Sequence, residues 1–239
     1  SGCSNSMTRT MQIKPLPVVN FNFTAPNCQQ ATVHFEDLSV LQSGYIVRWN
    51  WNFGDGTSMS VNFPDVPVVD HSYSNSGTFN VTLSVTTNDS CTNILTKPVI
   101  ILAKPTAQFT NNSGCEHMAM SFTDHSQGPA GFGISQHLWN FGDPASGTAN
   151  TSTLANPQHI YNTAGTYPVQ LIVATINGCS DTITQNVLVA PTPVVNFSSQ
   201  VSCNYDTTHF TSSTFVSTST VTWSWLFGDG TSSSNPDPS

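Results

Sequence analysis

The chain has 239 residues, enough for more than one small domain, and only 8% of them are charged. Its formal net charge is −8, with five Lys and Arg in total. This balance excludes a basic surface for nucleic acid or an anionic membrane, because neutralising phosphates requires clustered Lys and Arg. No apolar run reaches the roughly 20 residues of a membrane-spanning helix, so we also expect no membrane insertion.

Taken in chain order, the first 90 residues alternate between apolar and polar side chains with a period of two. This period is typical of half-buried strands, and short Gly-, Asn- and Ser-rich stretches between them supply the turns. No stretch of helix length shows a period of 3.6. We expect about seven strands in this region, which fits a two-sheet sandwich. The clearest alternating stretches are residues 19–24, 33–36, 48–53 and 79–85.

One six-residue motif occurs three times. Residues 51–56 read Trp-Asn-Phe-Gly-Asp-Gly, residues 139–144 read Trp-Asn-Phe-Gly-Asp-Pro, and residues 225–230 read Trp-Leu-Phe-Gly-Asp-Gly. The spacings of 88 and 86 residues suit one small β-sandwich per repeat. We interpret the motif as structural, with residues Trp51, Phe53, Gly54, Asp55, Trp139, Phe141, Gly142, Asp143, Trp225, Phe227, Gly228 and Asp229.

Proline-rich joints near residues 14–17, 104–105 and 191–193 divide the repeats. Such joints are short and stiff, since proline fixes φ and resists helix. We therefore expect a chain cut from a longer array. Its predicted parts are residues 1–15, the tail of a preceding repeat; 16–103 and 104–190, two complete domains; and 191–239, the first half of a further domain.

The motif has a structural and a functional interpretation. In the first, the Trp fills the core, the Gly residues allow backbone angles that other residues avoid, and the Asp binds amides across its turn. In the second, Asp55, Asp143 and Asp229 are calcium ligands, but one carboxylate per turn falls short of six to eight oxygens. We therefore predict no metal and no cofactor.

Two histidines, His71 and His159, recur at the same place in each copy and are candidate bases. No nucleophile elbow accompanies them, so we predict satisfied structural groups and no catalytic residue. Tyr167 precedes an alternating strand as a tyrosine-corner residue does, and we expect its hydroxyl to bond back to the chain.

Three spaced elements resemble the PKD domain, an immunoglobulin-like β-sandwich family. They are the motif at residues 51–56, the pair His71 and Tyr73, and the stretch 77–83, all with counterparts in the second repeat. The second repeat departs at Pro144 and carries a longer insert, and the third lacks its second half. The resemblance implies an all-β fold of tandem immunoglobulin-like, PKD-type sandwiches. The array is also similar to large secreted adhesins of gliding and predatory Gram-negative bacteria, which use type IX secretion.

The six cysteines recur at two positions per repeat, which predicts disulfides in an oxidising compartment. Zinc would need close Cys or His pairs, and the sequence has none. One pairing stays within a repeat and joins Cys28 to Cys91 and Cys115 to Cys179. In an immunoglobulin-like topology those turns lie over about 20 Å apart, beyond the roughly 7 Å a disulfide allows. This favours the other pairing, between neighbouring repeats, which joins Cys28 to Cys179.

From these features we expect a non-catalytic segment of a large secreted, extracellular, cell-surface protein. It forms a disulfide-stiffened rod or fibre for surface or cell attachment. The expected partners are other copies of itself in a homo-oligomer, neighbouring repeats, and cell-surface glycans or proteins. The alternatives are an accessory array that presents substrate within a secreted hydrolase and, less favoured, a eukaryotic ectodomain module.

Overall fold

The computed structural model describes residues 2–24, 27–200, 202–203, 206–215 and 221–239. Within these residues the secondary structure consists of strands and one short 3-10 helix. The chain divides into two compact units. The first unit comprises Ser1–Pro105, Gly128–Gly133 and Thr175–Ser180, and the second comprises Thr106–Gln127, Ile134–Ala174 and Asp181–Ser239.

The first unit contains seven strands in two antiparallel sheets. One sheet has the order β1-β2-β5 and the other has the order β4-β3-β6-β7. The strands are β1 (Phe21–Phe23), β2 (Thr32–Asp37), β3 (Ile46–Asn52), β4 (Ser58–Asn62), β5 (Val68–Ser72), β6 (Gly77–Thr87) and β7 (Thr92–Ile101).

The core of the first unit forms because alternate residues of each strand point between the sheets. In β6, Val81, Leu83 and Val85 are fully buried, and the residues between them are partly exposed. Burying each such side chain contributes about 1.5–3 kcal/mol to the free energy of unfolding. Trp51 lies at the centre, with its ring 5.3 Å from Phe21 in an edge-to-face contact.

The second unit repeats this plan, with sheets in the orders β13-β10-β8 and β12-β11-β14-β15-β9. Strand β9 adds to β15 in parallel, and the turn between β14 and β15 belongs to the first unit. A 3-10 helix at Pro144–Asn150 follows β11, and nothing in the sequence pattern predicted it. The strands are β8 (Phe109–Asn111), β9 (Gly114–Cys115), β10 (Ala119–Asp124), β11 (Ile134–Asn140), β12 (Thr151–Ser152), β13 (Gln158–Ile160), β14 (Gly165–Thr175) and β15 (Ser180–Ala190).

The same unit carries the described part of the third repeat, which forms two strand pairs. They are β16 (Phe197–Ser199) with β17 (Phe210–Ser212), and β18 (Trp225–Leu226) with β19 (Ser232–Ser233). Phe197 and Trp225 meet at 5.2 Å, close to the 5.1 Å between Phe109 and Trp139 in the complete second repeat. The prediction of an all-β fold with tandem sandwiches is confirmed.

Candidate functional site

The turn after β3 is built around Asp55. Its Oδ1 accepts hydrogen bonds from the Thr57 amide at 3.0 Å and from the Thr57 hydroxyl at 2.6 Å. Gly54 has φ +80°, and a Cβ there would lie 2.8 Å from the carbonyl oxygen of Asn80. The glycine is therefore required both by its backbone angle and by the close approach of β6.

The repeated motifs meet in one cluster, formed by Phe53, Asp55, His71 and Tyr73, which we call the Asp–His–Tyr cluster. His71 Nε2 lies 2.7 Å from Asp55 Oδ2, and the imidazole stacks on Phe53 at 4.0 Å. Tyr73 contacts the imidazole edge-on, and its hydroxyl donates to the Phe53 carbonyl at 3.1 Å. Residues that are up to 20 positions apart in sequence thus brace the end of β3 together.

The second unit contains the same cluster in a more buried form. His159 Nε2 lies 3.1 Å from Asp143 Oδ2, and the Tyr161 hydroxyl donates to the Phe141 carbonyl at 3.0 Å. The His and Asp side chains are 3% and 10% exposed here, against 15% and 19% in the first unit. The turn itself also differs, since the Asp143 amide donates to the Asn150 side chain at 2.7 Å.

The third repeat preserves the turn. Asp229 Oδ1 accepts hydrogen bonds from the amide and hydroxyl of Thr231 at 2.8 and 2.6 Å, and Gly228 has φ +81°. Hydrogen bonds from Thr231 lower the pKa of Asp229. The turn therefore forms from its own local residues, as the sequence motif implies.

The electrostatics of the cluster favour an ionised Asp55 and neutral Tyr73 and Tyr161. Burial acts to raise the pKa of Asp55, but hydrogen bonds from Thr57 and His71 outweigh it, and the pKa is lowered. Burial and the nearby aspartate charge raise the pKa of Tyr73 and of Tyr161. Each aspartate is an acceptor and each tyrosine a donor in its hydrogen bond, so the cluster acts as a brace.

The sequence analysis did not predict a second pair of aspartate-centred hydrogen-bond sites, one in each unit. In the first unit Trp49 Nε1 donates to Asp37 Oδ2 at 2.7 Å, and in the second unit His137 Nε2 lies 2.9 Å from Asp124 Oδ2. Burial acts to raise the pKa of Asp124, but hydrogen bonds from Ser126 and His137 lower it overall. The sequence pattern that could have identified these sites is Asp-x-Ser, which recurs at residues 37–39 and 124–126. Both serine amides donate to their aspartate.

No three His, Cys, Asp or Glu side chains converge as a metal-ligand set among the described residues. The carboxylates considered as calcium ligands, those of Asp55, Asp143 and Asp229, each bind groups of their own turn or cluster.

The structure joins Cys28 to Cys179 by a disulfide with the Cα atoms 5.6 Å apart. Cys28 lies in the first sequence repeat and Cys179 in the second, and both fall within the first compact unit. Cys91 and Cys115, also predicted as disulfide residues, are half-buried free thiols, and Cys3 and Cys203 are exposed free thiols.

The within-repeat pairing of Cys28 with Cys91 is not formed, and strand geometry gives the reason. Cys28 forms a parallel bridge with Leu102, just beyond the end of β7, and Cys91 immediately precedes the start of that strand. The ten residues of β7 span about 33 Å at roughly 3.3 Å per residue, far beyond disulfide reach.

A family model of the PKD domain matches residues 14–100 and 102–190. The chain belongs to the PKD domain family. The PKD1 domain of Vibrio anguillarum Epp is 25% identical and covers 38% of this chain and 99% of its own, with a TM-score of 0.34. The PKD1 domain of the Vibrio cholerae metalloprotease PrtV is 31% identical and covers 36% and 96%, with a TM-score of 0.31.

PKD domains are typically extracellular structural or adhesive modules and are in general non-catalytic, although they occur in enzymes. The disulfide agrees with an extracellular protein, because such bonds persist in oxidising compartments. The described residues include no helix long and apolar enough to cross a membrane.

Proposed function

We propose that this PKD array is a non-catalytic, load-bearing segment of a large secreted cell-surface protein. In this proposal it forms a disulfide-stiffened rod or fibre that attaches a cell to a surface or to another cell. Its partners are neighbouring repeats, further copies of the chain, and cell-surface glycans or proteins.

The observation that carries the proposal is the Cys28–Cys179 disulfide, which joins residues 151 positions apart in sequence. Under tension between the chain ends, force bypasses the segment that the bond encloses. The disulfide then carries the load, and the enclosed strands are shielded from it and stay folded instead of unravelling one after another. The disulfide limits the total extension of the chain even when the domain inside the loop unfolds repeatedly.

The outward faces of the strands support weak attachment. On the exposed side of β6 and β7, the hydroxyls of Thr82 and Thr96 meet at 2.8 Å, and those of Thr86 and Thr92 meet at 3.1 Å. Such hydroxyl rows, in a chain with 8% charged residues, offer many neutral hydrogen-bonding groups and few charges. Individually weak contacts become effective when many copies act together.

Single-molecule extension tests the mechanical part of the proposal. The chain is pulled from residue 1 and residue 239 with and without dithiothreitol. The sequence separation of 151 positions corresponds to about 500 Å of extended chain, so we expect the oxidised protein to stop about 500 Å shorter than the reduced one. A Cys28→Ser/Cys179→Ser double variant should extend fully, and a Cys91→Ser/Cys115→Ser variant should not. Equal lengths in both redox states would refute the proposal.

Bead adhesion separates attachment from the alternative of an accessory array in a secreted hydrolase. Beads coated with increasing densities of the chain are passed over glass and over agarose under flow. Multivalent attachment predicts retention that rises steeply with coating density. Retention proportional to density, with tight binding of soluble polysaccharide or denatured protein by single chains, would favour the accessory role.

A further inference from the structure

The carboxylate of Asp143 has lost the role that its counterparts play in the other two copies of the motif. Oδ1 of Asp55 and Oδ1 of Asp229 each accept two hydrogen bonds from the threonine two residues on. In the second copy His159 lies against Oδ2 of Asp143, and none of the described residues donates a hydrogen bond to Oδ1. One oxygen of this buried carboxylate is therefore not used by the turn.

The short helix that follows does not use this oxygen either. Asp143 is the N-cap residue of the 3-10 helix Pro144–Asn150, and its side chain makes no capping hydrogen bond. An aspartate at this position ordinarily accepts a hydrogen bond from an amide of the first turn. The contact with His159 gives Oδ2 a structural role, and no such role accounts for Oδ1.

The carbonyl oxygen of Asp143, in the peptide bond to Pro144, accepts two hydrogen bonds from one residue. The Ser146 amide donates at 3.0 Å and the Ser146 hydroxyl at 2.7 Å. Two donors at these distances polarise the carbonyl and stabilise the negative charge that develops on its oxygen when a nucleophile adds to the carbon. Among the residues that the structure describes, none donates to the carbonyl oxygen of Asp55 or of Asp229.

Pro144 makes the same peptide bond chemically different from its counterparts, because Asp55 and Asp229 each precede glycine. The proline nitrogen belongs to a tertiary amide, and it leaves as a secondary amine when the bond breaks. Pro144 is exposed and lines an open cavity of about 580 Å³ together with Asn150 and Thr184. Water can therefore reach the nitrogen, which has to gain a proton as it leaves.

We propose that the chain cleaves its own peptide bond between Asp143 and Pro144. Oδ1 of Asp143 adds to the carbonyl carbon of the same residue, and the amide and hydroxyl of Ser146 hold the resulting oxyanion. Nucleophile and carbonyl belong to one residue, so the step is intramolecular and requires no bound substrate. His159 keeps the carboxylate in place through Oδ2.

The reaction is a hydrolysis in two steps. The oxyanion collapses, the bond between the Asp143 carbonyl carbon and the Pro144 nitrogen breaks, and the nitrogen takes a proton from water. This step leaves a cyclic anhydride of the succinic type on Asp143 and a new amino terminus at Pro144. A water molecule then opens the anhydride and leaves two carboxyl groups on Asp143. One water is consumed, and no atom is oxidised or reduced.

The broken bond lies between the two disulfide cysteines in sequence. Fragment 1–143 contains Cys28 and fragment 144–239 contains Cys179, so the disulfide keeps the two fragments joined. The cleavage goes beyond the proposed function and leaves it intact, because tension between the chain ends passes through the disulfide and bypasses the broken bond.

Electrophoresis with and without reductant tests the cleavage. The full chain is incubated in mildly acidic buffer, since the leaving nitrogen takes up a proton, and is then compared under both conditions. We expect one full-length band without reductant and two fragments with it. Mass spectrometry should assign the fragments to residues 1–143 and 144–239, with the gain of one water. An uncleaved chain, or cleavage at other bonds instead, would refute the proposal.

A second Asp–Pro bond in the same chain, Asp237–Pro238, separates the proposed reaction from the general acid sensitivity of such bonds. Asp237 Oδ1 accepts a hydrogen bond from the Ser212 amide at 2.8 Å, and no described group donates to the Asp237 carbonyl. In the folded chain we expect cleavage after Asp143 to be at least about tenfold faster than after Asp237. In urea the two rates should be equal. Equal rates in the folded chain would overturn the proposal.

Variants test the roles of the three residues. Pro144→Gly restores the glycine of the other copies and should abolish cleavage, as should Asp143→Asn, which removes the carboxylate. Ser146→Ala removes one donor to the carbonyl and should slow cleavage about a hundredfold. Ser146→Thr keeps the hydroxyl and should cleave like the wild type. Circular dichroism and tryptophan fluorescence check that each variant keeps the fold. An unchanged rate in Ser146→Ala would contradict the proposal.

Hydroxylamine identifies the anhydride. Added during the incubation, it should open the anhydride in competition with water and leave a hydroxamate on Asp143 at the end of fragment 1–143. Direct attack of water on the peptide bond gives no such adduct. Cleavage without the hydroxamate would therefore overturn the proposal, because Asp143 would not be the nucleophile.

Discussion

His159 and Asp143 form a buried pair in the second unit, with Nε2 and Oδ2 3.1 Å apart and Phe141 stacked on the imidazole. The equivalent pair in the first unit, His71 with Asp55, has the same stacking but is more exposed to solvent. The difference follows from the turn, because the 3-10 helix Pro144–Asn150 follows Asp143, whereas a short Gly-Asp-Gly turn holds Asp55.

Replacing His159 in the second unit should lower the free energy of unfolding more than replacing His71 in the first. His159→Phe leaves the buried Asp143 carboxylate without its partner, which we expect to destabilise the unit by about 2–3 kcal/mol. His71→Phe leaves a partly hydrated carboxylate that keeps Thr57, and we expect a loss of about 1 kcal/mol. Urea unfolding followed by tryptophan fluorescence measures both. Equal losses would show that burial of the pair does not set its contribution.

The two core tryptophans differ in one hydrogen bond. Trp139 Nε1 donates to the Leu154 carbonyl at 2.9 Å, and Trp51 Nε1 has no acceptor among the described residues. Replacing tryptophan by phenylalanine leaves a similar void in each core. In the second unit the replacement also breaks a hydrogen bond. We expect Trp139→Phe to cost about 1 kcal/mol more than Trp51→Phe in urea unfolding. A larger cost for Trp51→Phe would contradict this account.

The two glycines of the first motif should respond unequally to alanine. At Gly54 a Cβ would lie 2.8 Å from the Asn80 carbonyl oxygen, and at Gly56 it would meet nothing within 4 Å. Both have positive φ, so each substitution carries a strain of about 1 kcal/mol. Gly54→Ala must also displace β6, and we expect it to cost at least about 2 kcal/mol more than Gly56→Ala. Thermal unfolding of the matched pair measures the difference.

Asp55 should make the first unit sensitive to acid. Its pKa in the folded protein is lowered, so the ionised form stabilises the fold above the ordinary aspartate pKa of about 3.9. That stability is lost as the pH falls below this value and through the lower folded pKa. Thr57→Val removes one hydrogen bond that lowers the pKa, and should shrink the loss of unfolding free energy between about pH 5 and pH 2. Thr57→Ser, which keeps the hydroxyl, is the control and should behave like the wild type.

The sequence determined the sandwich and its repetition. Alternation along a strand places every second side chain on one face, so the burial of Val81, Leu83 and Val85 follows from local order alone. The turn of Asp55 and Thr57 is equally local, and it recurs at Asp229 and Thr231 for that reason. The predicted bond of the Tyr167 hydroxyl back to the chain is also local, and the Thr163 carbonyl accepts it at 2.8 Å.

The tertiary structure decided which distant groups meet. The contacts of His71 with Asp55 and of Tyr73 with the Phe53 carbonyl depend on how β5 approaches the end of β3, which no periodicity encodes. Cys28 bonds to Cys179 and not to Cys91, because the length of β7 separates Cys28 from Cys91 at opposite ends of one sandwich. Sequence patterns fix the direction of a side chain relative to its own strand, whereas the packing of strands and turns fixes its partner.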